Sequence, residues 1–247
     1  MTEQEKLMYK ILGNISAANS PIVFKGALIT KLILAEHGFE DVERITNDID
    51  GNWIDTPPSM IILADTINQS LGDLKSKYYA AAIREYGEKK SAGISIIEKN
   101  TNDRIILMDI SIKPVIGSKI YHYGEAKIKG VLVDEIISDK ISVLSGNYIF
   151  RRTKDMIDVY ALSSCVDFQT KEIFDIYEKT KREINSFDAF LTRKSDLEHA
   201  YNKLKGVEGK PDFANIYFHL DNFLRPFIEK DCTNKIWKST SALWRDL

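Results

Sequence analysis

The sequence predicts an α+β protein: an N-terminal α/β half, built as a mixed sheet with flanking helices, followed by a C-terminal helical domain. Three observations carry this. Short β-branched and aromatic runs alternate with segments of helical periodicity up to about residue 130. Two β-branched runs flank Asn100-Thr101-Asn102-Asp103, a good hairpin loop. Beyond that point nearly every apolar residue falls at helical spacing. The change of texture sets the expected domains at 1–132 and 133–247, with no repeat, low-complexity tract or Gly/Ser linker to mark the boundary.

In order along the chain, residues 3–17 place Leu7, Met8, Ile11, Leu12 and Ile15 on one helical face, and Asn19-Ser20-Pro21 stops that helix. Ile22-Val23-Phe24 reads as a buried strand. The small turn Lys25-Gly26-Ala27 then opens a second helix, "ALITKLILAEH", which Gly38 can cap. A polar loop over 39–47 leads to "RITNDIDG". The alternation there reads as a strand that puts Asp48 and Asp50 on one face and Ile49 on the other, although Asn, Asp and Gly also suit a solvated turn. Pro57-Pro58 must end it, and a helix is expected from Met60 to about Leu71.

The segment 78–113 reads as sheet, clearest in "GISIIEKNTNDRIILMDISIK". Its second run puts Leu107, Asp109 and Ser111 on one face and Met108, Ile110 and Ile112 on the other. An acid in so apolar a strand sits either at a solvated end or beside a cation. Strands at Lys119–Tyr123 and about Ala126–Leu132 follow, then a helix in "DEIISDKISVLSG" and helices over 152–164, 170–185, 195–205 and 212–230. A short tail carries Trp237 and Trp244.

The chain has 247 residues, 44% of them hydrophobic, which is enough for a sizeable core. No run of about 18 apolar residues could span a bilayer, and "MTEQEKLMYK" lacks the form of a signal peptide, so a cytoplasmic protein without membrane contact is expected. The two cysteines, Cys165 and Cys232, form no CxxC pair or disulfide framework and are expected as small buried apolar residues. The formal net charge of -2 gives no global attraction to nucleic acid. One local basic concentration exists at Arg151, Arg152 and Lys154.

Asp48, Asp50 and Asp109 each fall on an expected strand. Were the two strands neighbours, the three carboxylates would meet and hold one or two divalent ions, the arrangement of in-line phosphoryl or nucleotidyl transfer. A Gly turn opening a helix supplies backbone N–H groups for phosphate, with Lys25 beside it, although many strand-to-helix turns use glycine without any ligand. Arg151, Asp155 and Asp158, spaced i, i+4, i+7, would share one helix face, which on its own also describes a salt-bridged surface. The histidines His37, His122, His199 and His219 lack ligand spacing, and no P-loop, G-x-S-x-G or G-x-G-x-x-G occurs. Tyr217, Phe218, Phe223 and Phe227 are expected in the core.

In combination, "FKGALITKLILAEHGFEDVERITNDIDG" resembles the opening motifs of the DNA polymerase β nucleotidyltransferase superfamily, and more narrowly the AbiEii/AbiGii toxin family of bacterial nucleotidyltransferases. "DEIISDKISVLSGNYIFRRTKDMIDVYALS" is similar to that family's helical motif, in which a lysine precedes R-x-K-D-x-x-D. The resemblance covers about residues 20–165. It implies a polymerase β-like fold for the N-terminal half and matches Gly26 and Ala27 to the glycine-plus-small pair, Ala27 standing where Gly or Ser is commoner. It matches Asp48, Asp50 and Asp109 to the metal-binding acids and Lys140 to a lysine near the nucleotide. Asp155 and Asp158 match the helical acids, with Arg152 and Lys154 beside them.

The expectation is therefore a Mg²⁺- or Mn²⁺-dependent nucleotidyltransferase moving an NMP from an NTP to an acceptor. The catalytic set is Asp48, Asp50, Asp109, Lys140 and Asp158; the nucleotide is held by Lys25, Gly26, Ala27, Lys140, Arg152, Lys154 and Asp155. By resemblance the acceptor is RNA, with a tRNA 3′ end as the implied case, and the role is that of a toxin in a toxin–antitoxin or abortive-infection system with a cognate antitoxin. The alternatives are a nucleotide-binding or interaction protein of the same fold without turnover, and a nucleotide-sugar glycosyltransferase, which would need neither Asp109 nor the helical motif.

Overall fold

The structure, a computed structural model, describes residues 2–87 and 91–247. The elements run α1 (Glu3–Ala17), β1 (Ile22–Lys25), α2 (Gly26–Glu36), β2 (Glu43–Arg44), β3 (Asp48–Trp53), α3 (Met60–Ser70), β4 (Tyr78–Arg84), β5 (Ser91–Glu98), β6 (Arg104–Ser111), β7 (Ser118–Tyr123) and β8 (Ala126–Val131). They continue as α4 (Val133–Leu144), α5 (Thr153–Cys165), β9 (Phe168–Gln169), α6 (Thr170–Thr180), α7 (Asp188–Thr192), α8 (Lys194–Asn202), β10 (Val207–Glu208), α9 (Phe213–Ile228), β11 (Lys235–Lys238) and β12 (Leu243–Asp246). The chain divides into two compact units, one of residues up to Leu32 with Thr46–Leu132, the other of Ile33–Ile45 with Val133–Leu247.

The first unit is built on a seven-stranded mixed sheet in the order β4-β5-β6-β3-β1-β8-β7. β3 lies between β1, antiparallel to it, and β6, parallel to it, while β8 runs parallel to β1 on its other side. The strands form where their residues alternate: Ile106, Met108 and Ile110 of β6 are buried, while Leu107 and Asp109 on the opposite face are more open. The β5–β6 hairpin turns at Asn102, whose φ of 60° is the left-handed conformation that Asn tolerates, and Asn102 N–H donates to the Glu98 carbonyl at 2.8 Å. α1 starts with a capping box between Thr2 and Glu5 and buries Met8, Ile11, Leu12 and Ile15. It packs on β8, β1 and β6.

The second unit is largely helical. α4 packs on α5 and α6, and α5 on α9. The short tail, for which the sequence assigned no strand, is a hairpin, β11–β12, and β11 also pairs with β9, bringing Trp237 opposite both Trp244 and Phe168. Each of its strands holds only two consecutive apolar residues, short of the three-residue run Ile22-Val23-Phe24 that marks β1. What holds this hairpin is aromatic packing: Trp237 is fully buried, sits 5.0 Å from Phe223 between ring centroids, and donates its indole N–H to the Ser163 carbonyl at 2.7 Å.

Other departures have local causes. α6 stops at Thr180, where Lys181 takes a left-handed φ of 52°, rather than running to 185. The expected loop 39–47 contains β2, which pairs with β10. Phe223 and Phe227 are core residues as expected, but Phe218 is 69% exposed, on the outer side of α9. Cys232, expected to be buried, is exposed in the turn after α9, and Cys165 is half-buried. Among the described residues no helix is long and apolar enough to cross a membrane.

Candidate active site

In the first unit the chain leaves β1 at Lys25 and enters α2 at once through Gly26, whose φ is 72°. A Cβ there would stand 2.2 Å from Asp50 Oδ2, so only glycine lets the helix start and this carboxylate share the space. Thr30 Oγ1 donates back to the Gly26 carbonyl at 3.0 Å, and Ala27 is buried directly behind the turn. The N-terminal N–H groups of α2 therefore begin beside Asp50.

Strand register sets the rest. Lys25 is paired with Asp50, Asp50 with Asp109, Asp109 with Gly93, and Gly93 with Arg84, a single row across β1, β3, β6, β5 and β4. Two acids thus stand side by side, about 5 Å apart at the strand spacing, with a cation at each end of the row. Asp48 projects to the same face two residues before Asp50 and accepts a hydrogen bond from Thr46 Oγ1 at 2.8 Å. Lys25 Nζ donates to Ser111 Oγ at 3.0 Å, and that hydroxyl donates to Asn52 Oδ1. Arg84 Nη2 donates to Asp109 Oδ1 at 3.0 Å.

Three carboxylates on neighbouring strands are an oxygen donor set suited to a hard divalent cation. The absence of a side chain at Gly26 lets the Asp50 carboxylate lie against the N-terminal end of α2. As they stand the acids face protein partners, and among the described residues no group of three or more His, Cys, Asp or Glu side chains is gathered closely enough to hold an ion.

The second unit contains a separate charged cluster. Lys140, on α4, is buried with its Nζ 2.5 Å from Asp158 Oδ2 and 3.1 Å from Asp155 Oδ1. Arg44 is ion-paired to the same Asp158 oxygen, and Arg152 Nε lies 2.8 Å from Asp155 Oδ2. Burial opposes charge on Lys140, but Asp158 and Asp155 outweigh it and hold the ammonium above the ordinary lysine range. Burial likewise pushes Asp155 up, and Lys140 with Arg152 more than reverse it, leaving this carboxyl below the ordinary range. Arg44 Nε is buried without a hydrogen-bond partner.

Of the expected residues, the structure thus sets Asp48, Asp50 and Asp109 along neighbouring strands with Lys25, Gly26 and Ala27 at the adjoining strand-to-helix turn, and brings Lys140, Arg152, Asp155 and Asp158 together in the helical cluster. Lys154 is exposed. The expected i, i+4, i+7 face through Arg151 does not form, because α5 begins at Thr153 and Arg151 lies in a preceding 3₁₀ turn. Arg152 takes the place beside Asp155. Sequence reading included Arg44 and Thr46 in "RITNDIDG" without giving them a role, and passed over Asn52 and Arg84. Thr46 and Asn52 follow the alternation of the Asp48 and Asp50 strand and were visible by it; Arg44 and Arg84 needed tertiary pairing.

No protein-family model matches the chain, and no curated protein matches it in sequence. Among solved structures it is similar to MenT4, a nucleotidyltransferase toxin from Mycobacterium tuberculosis H37Rv, at 12% identity and a TM-score of 0.48, over 93% of this chain and 91% of that one. It is also similar to an antigenic nucleotidyltransferase-like protein from Paracoccidioides brasiliensis, at 13% identity and a TM-score of 0.43, over 81% of this chain and 92% of that one.

Proposed function

We propose that the protein is a metal-dependent nucleotidyltransferase on a polymerase β-like sheet, transferring an NMP from an NTP to an acceptor hydroxyl with release of pyrophosphate. The observation that carries this reading is the pairing of Asp50 with Asp109 on parallel neighbouring strands, directly beside the Gly26 helix start. Asp48, Asp50 and Asp109 would hold one or two Mg²⁺ or Mn²⁺ ions, which supply charge neutralisation on the triphosphate and activation of the attacking oxygen.

The chain's own residues do the rest. N–H groups at the start of α2, where Gly26 lies against the Asp50 carboxylate and the next residue is the small Ala27, take phosphate oxygens. Lys25 adds a cation to the same row. Asp109 either completes the ion's ligand set or accepts the acceptor's proton. For the helical cluster the reading assigns a nucleotide role to Lys140, with Arg152, Lys154, Asp155 and Asp158. Arg44, Lys140 and Arg152 there outnumber the two carboxylates they hold, which leaves positive charge over for a phosphate.

By the family resemblance the acceptor is RNA, with a tRNA 3′ end as the first candidate, and the protein acts as the toxin of a bacterial toxin–antitoxin pair. The test is incubation with each labelled NTP, Mg²⁺ and total RNA, comparing wild type with Asp48→Ala. Label appearing on RNA with wild type alone supports the reading. Binding of NTP with no transfer to RNA or protein under any NTP would sink it in favour of a silent relative.

A further inference from the structure

Arg84 reaches a carboxylate that its own strand does not touch. β4 pairs with β5, and Asp109 lies one strand further, on β6. The span is about 10 Å at ordinary strand spacing, within reach of an arginine only if nothing stands between. Two features clear the way. A register shift between Ala82 and Arg84 bulges β4 at Ile83, so that Arg84 rather than Ile83 stands opposite Gly93. Gly93 then offers no side chain: a Cβ there would stand 3.2 Å from the Arg84 Cβ and 3.6 Å from its Nε.

We propose that Arg84 is a built-in counter-ion that competes with the divalent cation for Asp109, so that occupancy of the metal site requires the Arg84–Asp109 pair to open. The inference rests on the metal role assigned above to Asp48, Asp50 and Asp109. Asp50 and Asp109 repel each other in the metal-free chain, and a guanidinium on Asp109 Oδ1 relieves this. The pair is also open to exchange: its side chains are 56% and 39% exposed, in the range where an ion pair is weak enough to yield to a stronger ligand. Arg84 therefore positions Asp109 while no ion is bound and releases it when one arrives.

The test is Mn²⁺ affinity without nucleotide, read from the free-ion paramagnetic signal, for wild type, Arg84→Ala, Asp109→Asn and the double variant, with Asp48→Asn as the control for the site. Arg84→Ala is expected to tighten Mn²⁺ about two- to fivefold, the size of an exposed ion pair. In the Asp109→Asn background the same change should give no gain. Gly93→Ala, which keeps the arginine's charge but crowds its path, should shift affinity in the same direction as Arg84→Ala.

An equal gain with and without Asp109 would show a through-space charge effect and overturn the proposal, as would unchanged or weaker binding in Arg84→Ala. If neither wild type nor Arg84→Ala binds Mn²⁺, or if Asp48→Asn binds as well as wild type, the metal site itself is wrong and the inference falls with it. That outcome is distinct from failure of the competition alone.

Discussion

The Asp50 carboxylate lies where a side chain on Gly26 would be, 2.2 Å from a Cβ built at 26. Replacing Gly26 with Ala forces both the carboxylate and a φ of 72° to change. The left-handed conformation alone costs about 1–2 kcal/mol for an L-residue. Gly26→Ala is expected to lose at least that much in urea unfolding, and the proposed transfer activity is expected to fall roughly a hundredfold or more, since misplacing a reacting group by 1 Å is enough for that. Full activity at wild-type stability would show that the contact is dispensable.

The buried cluster predicts sensitivity at both ends of the pH scale. Asp155 has a depressed folded pKa, so its contribution is present above the unfolded aspartate value of about 3.9 and is lost as pH falls through the lower folded value. Lys140 has a raised one, so its contribution is present below about 10.4 and is lost as pH rises through the higher folded value. Lys140→Met leaves Asp158 and Asp155 buried with one cation fewer, and should cost about 3–5 kcal/mol at neutral pH. Urea denaturation with no measurable loss would mean that the cluster is not held by this lysine.

His219 predicts a separate slope at mildly acid pH. Burial lowers its pKa to about 4 from an ordinary 6.5, and its Nε2 lies 2.7 Å from the buried Ser163 hydroxyl. Between those values the unfolded chain takes up a proton that the folded one refuses, so stability falls as pH drops from about 6.5 to about 4, by up to about 3 kcal/mol. Asp134 runs the opposite way in the same range, because burial and Glu172 raise it to about 6. The comparison of wild type with His219→Gln therefore isolates the histidine. Melting curves whose difference does not vary over this range would remove it as a cause.

The two cysteines should react unequally. Cys232 is exposed, whereas Cys165 is half-buried with its thiol pushed up to about 11 by burial. Iodoacetamide at pH 8 should modify Cys232 first and leave Cys165 until the protein is unfolded. Peptide mapping that found equal early labelling would contradict the packing around α5.

Much of the carboxylate face was legible because it depends on local pattern. The alternation of Asp48, Ile49 and Asp50, the glycine at a strand-to-helix turn and the acid within β6 are all short-range signals. The register that sets Asp50 against Asp109 is not, since it follows from which strands pair. Arg84 was illegible for the same reason twice over: it acts through a bulge and across a glycine on another strand. The tail hairpin escaped because its stability comes from Trp237 packing against Phe223 and Trp244 rather than from strand propensity. Lys140 was placed by motif, but its enclosure between two acids is a property of helix packing that no spacing discloses.

The parallel pairing of β1 with β8, with Phe24 opposite Gly130, also bears on how the molecule is made. The carboxylate strand β3 hangs on β1, and β1 keeps one edge without its neighbour until residues about a hundred positions later have left the ribosome. Long-range pairing of this kind is slow and leaves open edges in the meantime. A nascent chain that ended before β8 would expose the free edge of β1, so premature termination should give aggregation rather than a small active fragment.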